Sequence, residues 1–269
     1  MKIRAGFDIG YECENDTAML LVLNIHPSRR ADLLTEQVLT FDRPIEAWEY
    51  LDGFGNACSR IVAPAGLTTI STRFEIYDSG LPDPVPENAV QHDIKDLPDD
   101  VLVFLLGSRY CDTDRLSDFA WKRFSAMPLG WPRVQAIVDF VHERIEFDYE
   151  KADPLRTAYG GFNDRTGVCR DFAHLAITLC RCMNIPARYC TGYLGDIGVP
   201  KDPHPMDFSA WFEVYLSGRW YTLDARHNTP RIGRILMATG RDATDVALST
   251  AFGPARLTRF EVVTEEAAG

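Results

Sequence analysis

Positive charge is scarce in this sequence: 28 Lys and Arg stand against 39 Asp and Glu, a formal net charge of −11. Binding along a phosphate backbone needs clustered cations that displace counterions, so the deficit sets nucleic acid aside as a partner. Long apolar runs are also missing. No segment reaches the ~18 residues of a membrane span, and Met1 to Phe7 lacks the continuous apolar stretch of a secretory leader. The expectation is therefore a cytoplasmic location without membrane association. The seven cysteines (Cys13, Cys58, Cys111, Cys169, Cys180, Cys182, Cys190) are odd in number and scattered, unlike a disulfide framework. Cys180-Arg181-Cys182 has no second Cys or His cluster at zinc-like spacing, so Cys180 reads as core packing and no metal is expected. A Gly-rich phosphate loop and a carboxylate cluster are absent too, so neither ATP, NAD nor calcium is implied, and no cofactor is assigned.

What is present is a 46% hydrophobic composition, enough for one sizeable core or two smaller ones. The first third reads as strands. Ile3, Ala5, Phe7 and Ile9 alternate, Ala18 to Leu23 is continuously apolar, and Thr69 to Tyr77 alternates again. Asp52-Gly53, Gly55-Asn56 and Pro64-Ala65-Gly66 punctuate these runs as turns, and a small antiparallel sandwich over residues 1–80 is the natural outcome. Pro82, Pro84, Pro86 and Pro98 deny ladder bonds and helical continuation to the next stretch, which reads as a linker over residues 81–108. Val90 and Ile94 leave it some capacity to lie along the surface.

From residue 109 the period becomes helical. Leu116, Phe119, Ala120 and Phe124 share a face, as do Val134, Ile137, Val138, Val141 and Ile145. A third helix spans about Cys169 to Met183 and is stopped by Asn184-Ile185-Pro186. Strands follow at Ala187 to Tyr193, Ala210 to Tyr215 and Trp220 to Ala225, the last two joined around Ser217-Gly218.

Cys169 differs from the other six thiols because it opens an amphipathic helix, where unpaired amides and the helix dipole favour negative charge. A lowered thiol pKa is expected. Arg170 is its nearest cation in sequence but points about 100° around the helix.

The segments Gly167-Val168-Cys169-Arg170-Asp171-Phe172-Ala173-His174, Asn184 to Tyr193, Ala210-Trp211-Phe212-Glu213-Val214-Tyr215 and Trp220-Tyr221-Thr222-Leu223-Asp224 resemble, in order, the transglutaminase-like superfamily in its bacterial form. The resemblance covers roughly residues 110 to 230. It implies an α+β, papain-like core with a helix-borne Cys packed on an antiparallel sheet. A β-sandwich-like N-terminal domain would precede a core over 109–269. It further implies a Cys–His–Asp triad, whose Cys and Asp match Cys169 and Asp224. The family's His stands directly before the Ala-Trp pair, and here that position is Ser209.

Strand geometry gives independent support. A two-residue loop at Ser217-Gly218 sets Trp211 opposite Asp224 and Ser209 opposite Arg226, leaving Ser209 and Asp224 as diagonal neighbours on one face. Serine cannot take up a thiol proton near neutral pH, and general acid–base assistance is worth roughly 10²–10⁴ in rate. His204 and His227 are the alternative bases, each on a loop near a strand end; otherwise Ser209 orders a water. His174 lies about 140° around the helix from Cys169 and reads as a core residue. Asp171 is assigned a structural pair with Arg170, Arg188 or Arg226, and Glu213 a similar pairing role. Tyr149 and Tyr159 are considered as oxyanion donors. Two functions are open: acyl transfer or cysteine peptidase/amidase chemistry through a Cys169 thioester on an amide or isopeptide of a peptide or protein, or a degenerate member that binds a peptide or protein in the same cleft.

Overall fold

The computed structural model describes residues 1–267. Its first strands are β1 (Lys2–Cys13), β2 (Thr17–Leu21), β3 (Thr40–Phe41), β4 (Trp48–Leu51), β5 (Ala57–Ala63) and β6 (Gly66–Tyr77). The helical part contains α1 (Asp99–Leu102), α2 (Thr113–Phe124), α3 (Trp131–Arg144), β7 (Glu146–Phe147), α4 (Ala158–Asp164), β8 (Thr166–Gly167) and α5 (Cys169–Cys182). Five of the remaining six strands are β9 (Ala187–Leu194), β10 (Ser209–Leu216), β11 (Arg219–Leu223), β12 (Arg234–Gly240) and β13 (Ser249–Ala251); β14 (Ala255–Glu266) closes the series.

Alternation in β1 and β6 places Ile3, Ala5, Phe7, Ile9, Ile70, Phe74 and Ile76 in a core shared with Met19, Leu21, Ile61 and Ala63 of β2 and β5. Two four-stranded sheets, in the orders β14-β1-β6-β3 and β13-β2-β5-β4, thus enclose one apolar interior. The last strands depart from the sequence expectation: β13 pairs with β2 and β14 with β1, so residues 249–266 complete the N-terminal sheets although they fall within 109–269. The segment 81–108 lies along the core, held by the buried side chains of Ala89, Leu97, Val101 and Phe104 and by backbone bonds. Val90 and Ile94 are exposed, whereas Ala89 O accepts from Trp131 N at 2.9 Å and Val90 O from Ser217 N at 2.9 Å.

The second sheet system runs β11-β10-β9-β12, antiparallel throughout. Helix α5 packs on β9 and β10 and also meets α2, α3 and α4. From Asp171 to Cys182 every residue is buried, Asp171, His174, Thr178 and Arg181 included, so the helix is covered on all sides. Asn184, at φ 60°, ends it in the left-handed region. The β10–β11 turn has positive φ at both Ser217 (47°) and Gly218 (80°), the geometry whose twist matches two adjoining strands. It sets Phe212 opposite Leu223, the register anticipated from the loop length. Gly192, between β10 and β12, admits no side chain, because a Cβ there would lie 2.1 Å from Ile235 O.

Candidate functional site

Cys169 is the first residue of α5 and is half-buried; the other six cysteines are buried. Ahead of it, Val168 N donates to the Asp171 carboxylate at 2.8 Å, so the helix's own first turn satisfies one of its free amides. Asp171 pairs with Arg156 at 3.3 Å, and none of Arg170, Arg188 or Arg226 is its partner. Arg156 sits just before α4, a short helix that sequence periodicity did not announce. Arg170 is drawn away from the sulfur to Asp153 O and lies over the Tyr110 ring.

The surroundings of the thiol oppose its ionisation, the reverse of the lowering expected. Burial pushes it up to about 11, outweighing the Ala210 backbone N–H and the Arg226 guanidinium, which favour the thiolate; Asp207 and Asp224 add to the rise. The helix start and the Arg226 charge do not offset this burial, because packing against β10 removes solvent that would stabilise the thiolate.

Strand β11 ends at Leu223, and Asp224 opens a tight turn that its own carboxylate organises. Oδ1 accepts from Arg226 N at 3.0 Å and His227 N at 3.1 Å. Oδ2 accepts from His227 Nδ1 at 2.9 Å and from Arg234 Nη2 at 3.0 Å. Burial alone would raise this carboxyl, but the His227 hydrogen bond and the Arg234 charge hold it well below the usual carboxylate range. The carboxylate can only accept, so it is Nδ1 that carries a proton in this bond.

Ser209 begins β10, opposite Gly192 of β9, and its carbonyl accepts from Thr191 Oγ1 at 3.2 Å. Its hydroxyl bonds neither Asp224 nor Cys169 among the described residues, because the β10–β11 ladder stops before reaching it. Ser209 and His227 instead meet across a cleft of about 500 Å³, together with Tyr149, Asp207, Arg226 and His204. His204 hydrogen-bonds Asp202 at 2.7 Å and is exposed at the rim. Arg226 lies over the Phe147 ring at 3.6 Å. Tyr149 lines the cleft; Tyr159 is engaged elsewhere, under Arg115 at 4.1 Å. Burial keeps His174 neutral, with Nε2 accepting from Ala243 N at 3.2 Å and its ring stacked on Tyr110. Glu213 pairs with Arg188 at 2.6 Å. Among the described residues, no group of three His, Cys, Asp or Glu is arranged to hold a metal, and no helix is long and apolar enough to cross a membrane.

Three residues of this site escaped the sequence reading. Arg226 entered it only as the residue opposite Ser209 and as a possible partner of Asp171, yet its charge favours the thiolate. Arg234 and Asp83 did not enter at all, since nothing local marks a strand-borne Arg and a linker Asp that lie 151 residues apart.

The model of the transglutaminase-like superfamily matches residues 124–225, which include Cys169, Ser209 and Asp224 and end just before Arg226 and His227. A crystal structure of a putative cysteine protease from Cytophaga hutchinsonii superimposes with a TM-score of 0.86 at 31% identity, covering 98% of this chain and 90% of that one. The chain belongs to the transglutaminase-like superfamily. An uncharacterized Mycobacterium leprae protein, ML0607, is 36% identical over 104 residues, 37% of each chain, so this chain spans little more than a third of that relative. The periplasmic domain of TgpA from Pseudomonas aeruginosa is more distant, at 14% identity and a TM-score of 0.43 over 82% of this chain and 87% of that one. The expected α+β architecture, a transglutaminase-like core with N-terminal antiparallel sheets, is thus the architecture found.

Proposed function

We propose that this transglutaminase-like chain is a thiol-dependent amidase or acyl transferase, working through a Cys169 thioester on an amide or isopeptide bond. His227, oriented by Asp224, carries the proton that Ser209 cannot. The observation behind this reading is the 2.9 Å bond between His227 Nδ1 and Asp224 Oδ2, on the wall of the cleft that Ser209 and Arg226 also line. A base, its orienting carboxylate and a thiol are the parts of a nucleophilic triad whatever their chain order.

Because the resting thiol is neutral, attack and deprotonation are coupled. As Sγ bonds to the carbonyl carbon, its proton passes to His227 Nε2 and the carbonyl electron pair moves onto oxygen, to which the Cys169 N–H at the helix start would donate. Collapse breaks the C–N bond, and His227 returns the proton to the departing amine. Water then attacks the thioester, gives a proton to His227, and releases the acid as sulfur regains a hydrogen; a second amine in place of water gives transfer. No hydrogen bond joins the thiol to an imidazole among the described residues, so the reading requires His227 to come within reach as substrate fills the cleft.

The neutral thiol also favours a second reading, a member that holds a peptide in this cleft without cleaving it. Turnover of peptide amides, with and without an added primary amine, separates the two. The catalytic reading expects activity that vanishes in Cys169→Ala and falls roughly 10²–10⁴-fold in His227→Gln. Tight peptide binding without turnover supports the binding reading, and full activity in His227→Gln removes His227 from the mechanism.

A further inference from the structure

The Asp224–His227 pair is not isolated. Arg234, on β12, donates through Nη2 to Asp224 Oδ2 at 3.0 Å and through Nε to Asp83 Oδ2 at 2.9 Å. The same Asp224 oxygen receives His227 Nδ1, so the guanidinium and the imidazole share one acceptor. Asp83 is fixed in turn: its N donates to Arg231 O at 2.9 Å, and its Oδ2 also accepts from Arg231 N at 3.0 Å. The Arg234 guanidinium lies over the Trp211 ring at 4.9 Å, and its Nη1 has no hydrogen-bond partner among the described residues. Side chains of Asp224 and Arg234 are 3% and 7% exposed, so water screens these charges little.

We propose that Asp83, in the segment between the β unit and the core, and Arg234 are positioning residues for the Asp224–His227 pair, dividing the Asp224 charge between guanidinium and imidazole. The proposal rests on His227 being the proton carrier, and it names what sets that carrier's strength. Arg234 withdraws charge from the oxygen that would stabilise an imidazolium, while Asp83 offsets part of the Arg234 charge. The two residues therefore act on His227 with opposite signs, which simple scaffolding would not do.

Other charged groups face the imidazole from around the cleft. The 195–208 loop brings Asp196, Lys201, Asp202, His204 and Asp207. Arg226 and Arg231 lie in its own turn and just after it, and β14 contributes Glu265 and Glu266, with Tyr149 on the same cleft wall. All of these are unchanged in the variants below, so differences between variants report on the chain from Asp83 to His227.

The test uses the full chain. The midpoint of the His227 ring titration is followed by nuclear magnetic resonance, and kcat and KM are measured against pH on a peptide amide. Arg234→Gln is expected to move the midpoint up and Asp83→Asn to move it down, each by about one pH unit. In both, kcat falls about tenfold or more while KM stays within about twofold. Asp83→Glu is expected to restore the wild-type midpoint. Shifts of the same sign, or none, overturn the proposal; if Arg234→Gln does not fold, an unmoved midpoint in Asp83→Asn overturns it alone. The resonance titration needs no turnover. Opposite shifts together with activity surviving Cys169→Ala would sink the functional reading and leave the positioning intact, and unmoved midpoints in an enzyme that depends on Cys169 and His227 would do the reverse.

Discussion

Alkylation of Cys169 across pH gives a quantitative check on its buried setting. Burial pushes this thiol up to about 11, against ~8.5 for a free cysteine. At pH 7.5 the thiolate fraction is then about 3 × 10⁻⁴ rather than about 0.1, so iodoacetamide should react roughly 300-fold more slowly than with an exposed cysteine. Partial burial of the sulfur slows it further. The other six thiols are buried, so a single modified peptide, carrying Cys169, is expected in a mass-spectrometric map. The rate should climb with pH past 9 without a plateau. Arg226→Gln, which removes the cation favouring the thiolate, should slow labelling at every pH below the inflection. A plateau below about pH 7, as a thiolate–imidazolium pair would give, refutes the neutral-thiol account, and so does labelling at the speed of a free cysteine.

Asp224→Asn should cost about 3–5 kcal/mol in denaturant unfolding, because it leaves the buried Arg234 charge partly uncompensated. Since the Asp224 carboxyl is held below its usual range when folded, its contribution is present above ~pH 4 and lost as pH falls toward the folded value. The stability gap between wild type and variant should therefore narrow on acidification; a gap independent of pH contradicts the pairing. Ser209→Ala should change kcat/KM less than about threefold if His227 is the base, whereas a loss of ~10² or more would return Ser209 to the mechanism. Gly192→Ala forces a Cβ to 2.1 Å from Ile235 O and should lower thermal stability sharply by prising β12 from β9; an unchanged melting temperature would contradict that packing.

Local signals carried far in this chain. The apolar stripe of α5, the Asn184 stop and the Ser217-Gly218 turn are each written in neighbouring residues, so helix, strand pair and register could be read directly. Strand β14 could not: nearly all its residues from Arg256 to Glu261 are exposed, which erases alternation, and its partner β1 lies some 250 residues away. The ladder between β10 and β11 was projected past Leu223, but Asp224 accepts the amides of Arg226 and His227 and turns the chain out of the strand. That turn is why Asp224 meets His227 and not Ser209. The thiol's ionisation failed for a related reason, since sequence shows that Cys169 starts a helix but not how closely β10 covers its sulfur. Partners in different elements, such as Asp83 with Arg234 across 151 residues or Arg156 with Asp171 across 15, become visible only once the fold has brought them together.

The central claim, a nucleophilic Cys169 served by His227, is tested most directly by the intact mass of the protein after a brief exposure to a peptide p-nitrophenyl ester. The account predicts one acyl adduct on wild type that decays within turnover, no adduct on Cys169→Ala, and an adduct on His227→Gln that persists because water is no longer activated. An adduct that survives Cys169→Ala, or one that clears from His227→Gln as fast as from wild type, contradicts it.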